Sequence, residues 1–250
     1  MSETEFLEAY DPAAFARPAL TVDLVLLGLS EGRPAVLLIE RSQHPHAGRW
    51  ALPGSFVAID EPLDAAAGRI LREKAGFGAD EAARTHLEQL YTFGAVDRDP
   101  RMRIVSVAYL ALLPEALFTQ VLMGDAGLSA ARMAVPGESE AGRPVAVFAA
   151  RDRAARTAMP LGFDHADILA LAILRLRGKL DYSDVGFALL PETFTLRQLQ
   201  DVHEAILGTT LNKPAFRRRM LDRGWLVPTG ARETGTSFRP AELYRYRKPL

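Results

Sequence analysis

Ser55 to Phe77 reads SFVAIDEPLDAAAGRILREKAGF, and the reading of the whole chain turns on it. Leu63, Ala66, Ala67, Ile70 and Leu71 fall at i, i+3, i+4, i+7 and i+8, which lines one face of a helix with apolar side chains. Arg69 and Glu73 stand four apart and pair in such a helix as an ordinary surface couple worth about 0.2–0.5 kcal/mol. At the least, then, the stretch is an amphipathic helix laid on a core.

The same residues carry a second pattern. The spacing resembles the Nudix box, a loop–helix–loop that runs Gly, five residues, Glu, seven residues, then Arg-Glu-apolar-any-Glu-Glu-any-Gly-apolar and holds magnesium against a diphosphate. Without a gap it places Glu61, Arg69, Leu71, Glu73, Gly76 and Phe77 on matching positions. Ser55 replaces the first Gly, Ile70 the first helical Glu and Lys74 the last. Magnesium takes oxygen ligands, commonly one or two carboxylates with waters and substrate phosphates. Ile70 offers none, and Lys74 sets a positive charge where a metal-facing carboxylate belongs. The residual pair Glu61 and Glu73 is a poor cage, so no catalytic residue and no metal ligand is assigned.

Composition is that of an ordinary soluble protein: 250 residues, 48% hydrophobic and 24% charged. No apolar run approaches the roughly 20 residues that span a bilayer, and the N-terminus MSETEFLEAYDP is acidic where a signal peptide is basic. A cytoplasmic protein with no membrane partner is expected. The lack of cysteine removes disulfides, thiolate metal sites and cysteine nucleophiles. His44, His46, His86, His165 and His203 show no metal-ligand spacing and read as surface or satisfied polar residues. Net charge is −1, but the last 60 residues hold 11 Lys and Arg against 6 Asp and Glu. That asymmetry suggests a separate unit with an anionic partner.

Along the chain, Leu20–Leu29 and Pro34–Ile39 flank the turn Ser30–Arg33 and read as a hairpin. Strands are expected over Glu88–Gly94, Ile104–Leu113 and Pro144–Ala150, with a charged turn at Asp97–Arg103. Leu117–Ala134 gives mixed signals because Gly124 and Gly127 interrupt a helix. Asp164 reads as the N-cap of a helix over His165–Leu180 with basic residues near its C-terminus. A boundary, and a natural hinge, falls between Leu180 and Pro191.

After it, Thr195 and Gln198 form a capping box for a helix that Gly208 stops. Asn212 caps a second helix, which tolerates Pro214 in its first turn. Phe216 and Met220 bury one side of it and leave Lys213, Arg217 and Arg218 outward. Two strand-like runs, Trp225–Pro228 and Leu243–Tyr246, surround a loop bearing Arg232 and Arg239. This order is a winged helix-turn-helix, whose second helix enters the DNA major groove. Arginine-rich helices are also often plain solvated surfaces, and winged helices also dock proteins. The basic second helix, the arginines of the wing and the local charge together favour DNA.

With both regions read, the chain resembles the NrtR-like family of Nudix-related transcriptional regulators. The likeness runs through WALPG (Trp50–Gly54), Arg72-Glu73-Lys74 in the box, EQLYTFG (Glu88–Gly94), RDPR (Arg98–Arg101) and SVAYLAL (Ser106–Leu112). It continues in FDHADIL (Phe163–Leu169), LLPETFTL (Leu189–Leu196) and RPAELYRY (Arg239–Tyr246). It implies an α/β fold: a Nudix-like α/β/α sandwich with a mixed sheet, followed by a winged helix-turn-helix domain. Sensing is expected in residues 1–160, a connecting helix and linker in 161–190, and DNA binding in 191–250.

The resemblance further implies a homodimer that represses genes of NAD or sugar metabolism. Its partners would be a double-stranded DNA operator and a nucleotide-type effector such as ADP-ribose, which relieves repression. Glu115–Gly142 is longer and less patterned than the resemblance implies, and no ligand contact is carried over from it. A diphosphate needs positive charge, and Lys74 with Arg41, Arg98 or Arg101 would supply permanently what a hydrolase supplies as metal. Contacts to DNA are expected from Lys213, Arg217, Arg218, Arg232 and Arg239. No resident cofactor is expected. The alternative is a working magnesium-dependent Nudix pyrophosphohydrolase acting on ADP-ribose or a related nucleoside diphosphate through Glu73 and Glu61, with Glu88 as a possible replacement carboxylate. A third reading, a protein-binding adaptor built of two inert modules, has only the lost catalytic groups in its favour.

Overall fold

The structure, a computed structural model, describes residues 1–124, 126–134, 145–150, 157–234 and 240–248. After a short helix α1 (Glu3–Ala9), strand β1 (Ala19–Ser30) turns directly into β2 (Arg33–Glu40), with Ser30 opposite Arg33. Glu31 and Gly32 between them have φ of 52° and 72°, the two left-handed residues that let a two-residue hairpin follow the right-handed twist of its strands. Short strands β3 (Trp50–Ala51) and β4 (Gly54–Phe56) pair with β2 and β1, and the box helix α2 (Leu63–Ala75) follows. Gly76, at φ 71°, ends α2, a position where a Cβ would be strained. Helix α3 (Ala79–Arg84) leads to β5 (His86–Phe93) and β6 (Ile104–Leu112). The ambiguous stretch after β6 resolves into helix α4 (Glu115–Met123) and strand β7 (Leu128–Met133), with Gly127 at positive φ between them. Strand β8 (Val147–Ala149) is shorter than the run expected over Pro144–Ala150, whose first residue lies outside the described residues.

These strands form a mixed sheet in the order β5-β6-β1-β2-β7-β8, with β1 and β6 parallel. Side chains alternate across it with the period of two that a strand imposes. Val22, Leu24, Leu26, Ala35 and Leu37 face a core shared with Ala66, Ala67, Ile70 and Leu71 of α2 and with Phe118 of α4. Val25, Leu27, Val36 and Leu38 face the other way, onto Ile168, Leu169, Ala172, Ile173 and Leu176 of α5 (His165–Leu180). An α/β/α sandwich results.

That second core does not stop at α5. It continues without a break through Val185, Leu189 and Leu190 into Leu196, Leu199, Val202 and Ile206 of α6 (Leu196–Leu207). From there it reaches Phe216 and Met220 of α7 (Lys213–Asp222) and Tyr244 of β10 (Glu242–Tyr246). The segment expected as a hinge is therefore a 3-10 turn, Val185–Leu189, with Val185, Gly186 and Leu189 buried. Phe187 stacks on Tyr246 at 4.6 Å, and the Tyr246 hydroxyl donates to Asp184 at 2.6 Å.

The winged helix unit forms as its local signals dictate. Thr195 and Gln198 cap α6 reciprocally, and Gly208 ends it at φ 71°. The Asn212 side chain accepts from the Ala215 N–H to start α7. In the turn between them Gln200 donates to the Leu211 carbonyl and Glu204 accepts from the Leu211 N–H. Strand β9 (Leu226–Arg232) pairs antiparallel with β10, and Phe194 bridges to Tyr244 on the other side. Among the described residues no helix is long and apolar enough to cross a membrane.

Candidate functional site

The end of the sheet where β1, β4 and β6 meet the RDPR turn opens into a cavity of about 230 Å³. Arg41, Lys74, Arg98 and Arg101 all line it, together with Asp23, Asp99, Phe56, Phe163 and His165. Four cations thus face two carboxylates, an imbalance suited to an anion. The volume is below the roughly 300–1,000 Å³ of a full ligand pocket.

The four cations are not equivalent. Arg41 is oriented by donating from Nε to the Pro45 carbonyl at 2.8 Å, and its guanidinium lies 4.8 Å from the Phe163 ring centre. Burial first and then the Arg101 charge lower its pKa, so an incoming anion would relieve a crowding of like charges. Arg101 is half exposed and paired with Asp99 at 2.7 Å. Lys74 stands exposed on α2. Arg98 is different: its side chain is 4% exposed and donates to both oxygens of Asp164, at 2.8 and 2.7 Å. Burial opposes its charge, but the Asp164 hydrogen bonds and the Asp164, Asp23 and Asp99 charges outweigh that and raise its pKa. Although Arg98 lines the cavity, its fork is already filled.

Asp164 consequently makes no side-chain cap on α5, although it holds the N-cap position. Asp23 accepts from the Ser106 hydroxyl at 2.5 Å and lies 3.5 Å from Arg98. His165, expected as a surface or satisfied residue, is buried: its Nδ1 accepts from the Leu52 N–H at 3.0 Å, and burial lowers its pKa. Gly54 admits no side chain, since a Cβ there would meet Asp23 Oδ1 at 2.2 Å. Sequence reasoning missed Asp23, Phe163 and His165 as lining residues. The FDHADIL segment was the one available pointer to the last two.

The box itself is closed on its own arginine. Arg69 donates from Nε and Nη2 to the two oxygens of Glu61 at 2.7 and 2.8 Å, from Nη1 to Glu73 at 3.2 Å, and to the Phe56 carbonyl at 3.0 Å. These bonds hold Glu61 below the usual carboxylate range. Ile70 is fully buried. Glu88 is far from a substitute role: it accepts from Lys179 at 2.5 Å, lies 3.3 Å from His86 Nε2 and does not line the cavity. Its pKa is lowered to about 2, by the His86 hydrogen bond first. Among the described residues no three His, Asp or Glu converge as metal ligands do. Magnesium, which the box motif implies, therefore does not fit these donors: both surviving carboxylates are drawn to Arg69.

On the winged helix, Phe216 and Met220 are buried while Lys213, Arg217 and Arg218 are exposed. Lys213, Arg217 and Arg232 line one groove with Thr195, Arg197 and Tyr244. Arg218 is exposed outside it. Arg232 sits at the end of β9 rather than on a free loop and donates to the Pro240 carbonyl at 3.0 Å. Arg239 lies outside the described residues. Arg197, unnoticed in the sequence, reaches the same groove while pairing with Asp201 at 2.6 Å. Arg219 instead turns back to Asp181 at 3.1 Å.

A sheet sandwich carrying a Nudix box and fused through a shared core to a winged helix defines a two-module class of protein. Residues 17–141 match the family model of the NUDIX domain and residues 186–246 that of the NrtR DNA-binding winged helix domain. The chain belongs to the NrtR family. It is 36% identical over 247 residues to the ADPR responsive transcriptional repressor NtrR of Acinetobacter baylyi, covering 98% of this chain and 88% of that one. It is similar to the crystal structure of Shewanella oneidensis NrtR complexed with a 27mer DNA, at TM-score 0.71 and 34% identity over 91% of this chain and 93% of that one. It is similar also to a MutT/nudix family protein from Enterococcus faecalis, at TM-score 0.74 and 25% identity over 99% and 94% of the two chains.

Proposed function

We propose that this chain is a DNA-binding transcriptional repressor whose Nudix domain senses ADP-ribose or a related nucleotide diphosphate in NAD or sugar metabolism. The observation that carries it is the state of the box. Arg69 takes both Glu61 and Glu73, while Arg41, Lys74 and Arg101 face the cavity, so the site offers a diphosphate permanent positive charge in place of a metal. Such a site binds without cleaving and requires no resident cofactor. The A. baylyi relative, described as ADPR responsive, supports the same effector.

The reader is α7. Lys213, Arg217 and Arg218 meet the major groove, and Arg232 with Arg197 meets the phosphates beside it. The protein acts in the cytoplasm as a homodimer, with one α7 in each of two successive major grooves of a near-palindromic site. ADP-ribose lowers its affinity for that site. Gel-shift binding to DNA upstream of its own and neighbouring genes, at two salt concentrations and with or without ADP-ribose and magnesium, tests this. A selective, salt-sensitive shift that ADP-ribose weakens without being consumed is expected. Magnesium-dependent loss of the nucleotide with no selective shift would mean a hydrolase instead.

A further inference from the structure

Helix α5 begins in the cavity and ends on the reader. Three consecutive residues make its entry. Phe163 has φ 52°, a left-handed conformation that costs a bulky residue energy and that clusters at functional sites. Its ring lies beside the Arg41 guanidinium. Asp164 occupies the N-cap position, yet its carboxylate is spent on Arg98 and caps nothing. His165 accepts from the Leu52 backbone.

Sixteen residues later, about 24 Å at the usual helical rise, Asp181 closes the helix. Its Oδ1 lies 3.1 Å from the Arg219 guanidinium of α7, and its carbonyl accepts from Arg223, just past the end of α7. Arg177 donates to the Ile206 carbonyl of α6 at 3.0 Å. Between the ends, Ile168, Leu169, Ala172, Ile173, Leu176 and Leu180 are buried, so a displacement at one end is carried as a rigid element rather than absorbed.

We propose that α5 is the element through which occupancy of the cavity reaches the recognition helix, with Asp164 and Asp181 as the positioning residues at its two ends. Asp164 has two seats. In one it neutralises buried Arg98; in the other it accepts from the Ala166 N–H, since the N–H groups of His165 and Asp167 already donate to the Gly162 and Asp164 carbonyls. A diphosphate competes with Asp164 for Arg98 and so favours the second seat. Two arrangements biased by a ligand are what coupling between sites requires. This inference rests on the sensor reading above and assigns its route.

The test is fluorescence anisotropy of a duplex from the chain's own upstream region, with and without saturating ADP-ribose, alongside calorimetric titration of ADP-ribose. The wild type should change its DNA affinity by at least about fivefold. Asp164→Asn keeps a capping side chain but surrenders the ion pair. Its DNA affinity without ADP-ribose should lie within about twofold of the wild type's liganded value. Should that variant fail to fold, Asp181→Ala decides, since Asp181 is 72% exposed and outside both binding sites. It should bind ADP-ribose and free DNA within about threefold of wild type, while the fold-change caused by ADP-ribose shrinks to less than about a third. Asp181→Ala responding as the wild type does overturns the proposal and leaves the sensor reading standing. A wild type that binds both ligands with no response overturns the sensor reading itself.

Discussion

Restoring the missing helical glutamate by Ile70→Glu should unfold the protein rather than restore hydrolysis. Ile70 is fully buried between α2 and the sheet, against the core that holds Leu24, Leu26 and Leu37. Removing its side chain from that core forfeits about 1.5–3 kcal/mol of apolar burial. A carboxyl there must be kept neutral, which at pH 7 costs about 2.7 units above the ordinary glutamate value near 4.3, roughly 3.7 kcal/mol. The sum exceeds about 5 kcal/mol, within the range of the total stability of a domain, about 5–15 kcal/mol. Urea unfolding followed by the fluorescence of Trp50 and Trp225 measures it, with Ile70→Val, expected to lose about 0.5–1.5 kcal/mol, as control. If Ile70→Glu unfolds within about 1 kcal/mol of that control at an equal slope, position 70 is not closed by packing and the reasoning fails.

Arg197→Ala and Arg232→Ala should each lower the slope of log affinity against log salt by about 1, read from DNA titrations at three salt concentrations; unchanged slopes would remove both from the phosphate contacts. Lys74→Glu should weaken ADP-ribose binding at least about tenfold in metal-free buffer, as calorimetry would show; equal affinity would mean that Lys74 does not stand in for the metal. His203 is buried against Phe216 with its Nδ1 unpartnered, and burial first lowers its pKa to about 4. The folded state thus prefers the neutral ring. Stability is full above the ordinary histidine value near 6.5 and falls as pH drops from there toward 4, by up to about 3 kcal/mol. Urea midpoints at pH 7.5 and 4.5 should therefore fall further for the wild type than for His203→Leu; equal falls would contradict the assignment.

Local signals were legible where a single interaction dominates. The Ser30–Arg33 turn, the Gly208 stop, the Thr195–Gln198 box and the Asn212 cap all stand where the residue types place them. The period of α7 told its buried side from its basic one. What stayed hidden depends on partners distant in sequence. Asp164 has an N-cap's identity, but Arg98, 66 positions earlier, takes its carboxylate. For the same reason Arg98 read as an open cation. The expected hinge at residues 180–190 opens with the polar run Asp181–Asp184 and is short enough to pass for a linker; only the sheet face and α6 around it reveal that Val185 and Leu189 are core. His165 carries no metal-ligand spacing, and only the hydrogen bond from Leu52 shows why it is inside.

The continuous core from Val25 through α5 to Tyr244 also bears on how such proteins can be recombined. A fragment begun at Pro191 would strip α6 of its neighbours α5 and β2, and a sensor ended before α5 would bare a whole sheet face. Grafting this reader onto another effector domain, or this effector domain onto another reader, requires α5 and its 3-10 turn to travel with one partner and their neighbours to be re-matched on the other. The practical unit of exchange is thus larger than either recognised domain, and the seam between the two is a poor place to cut.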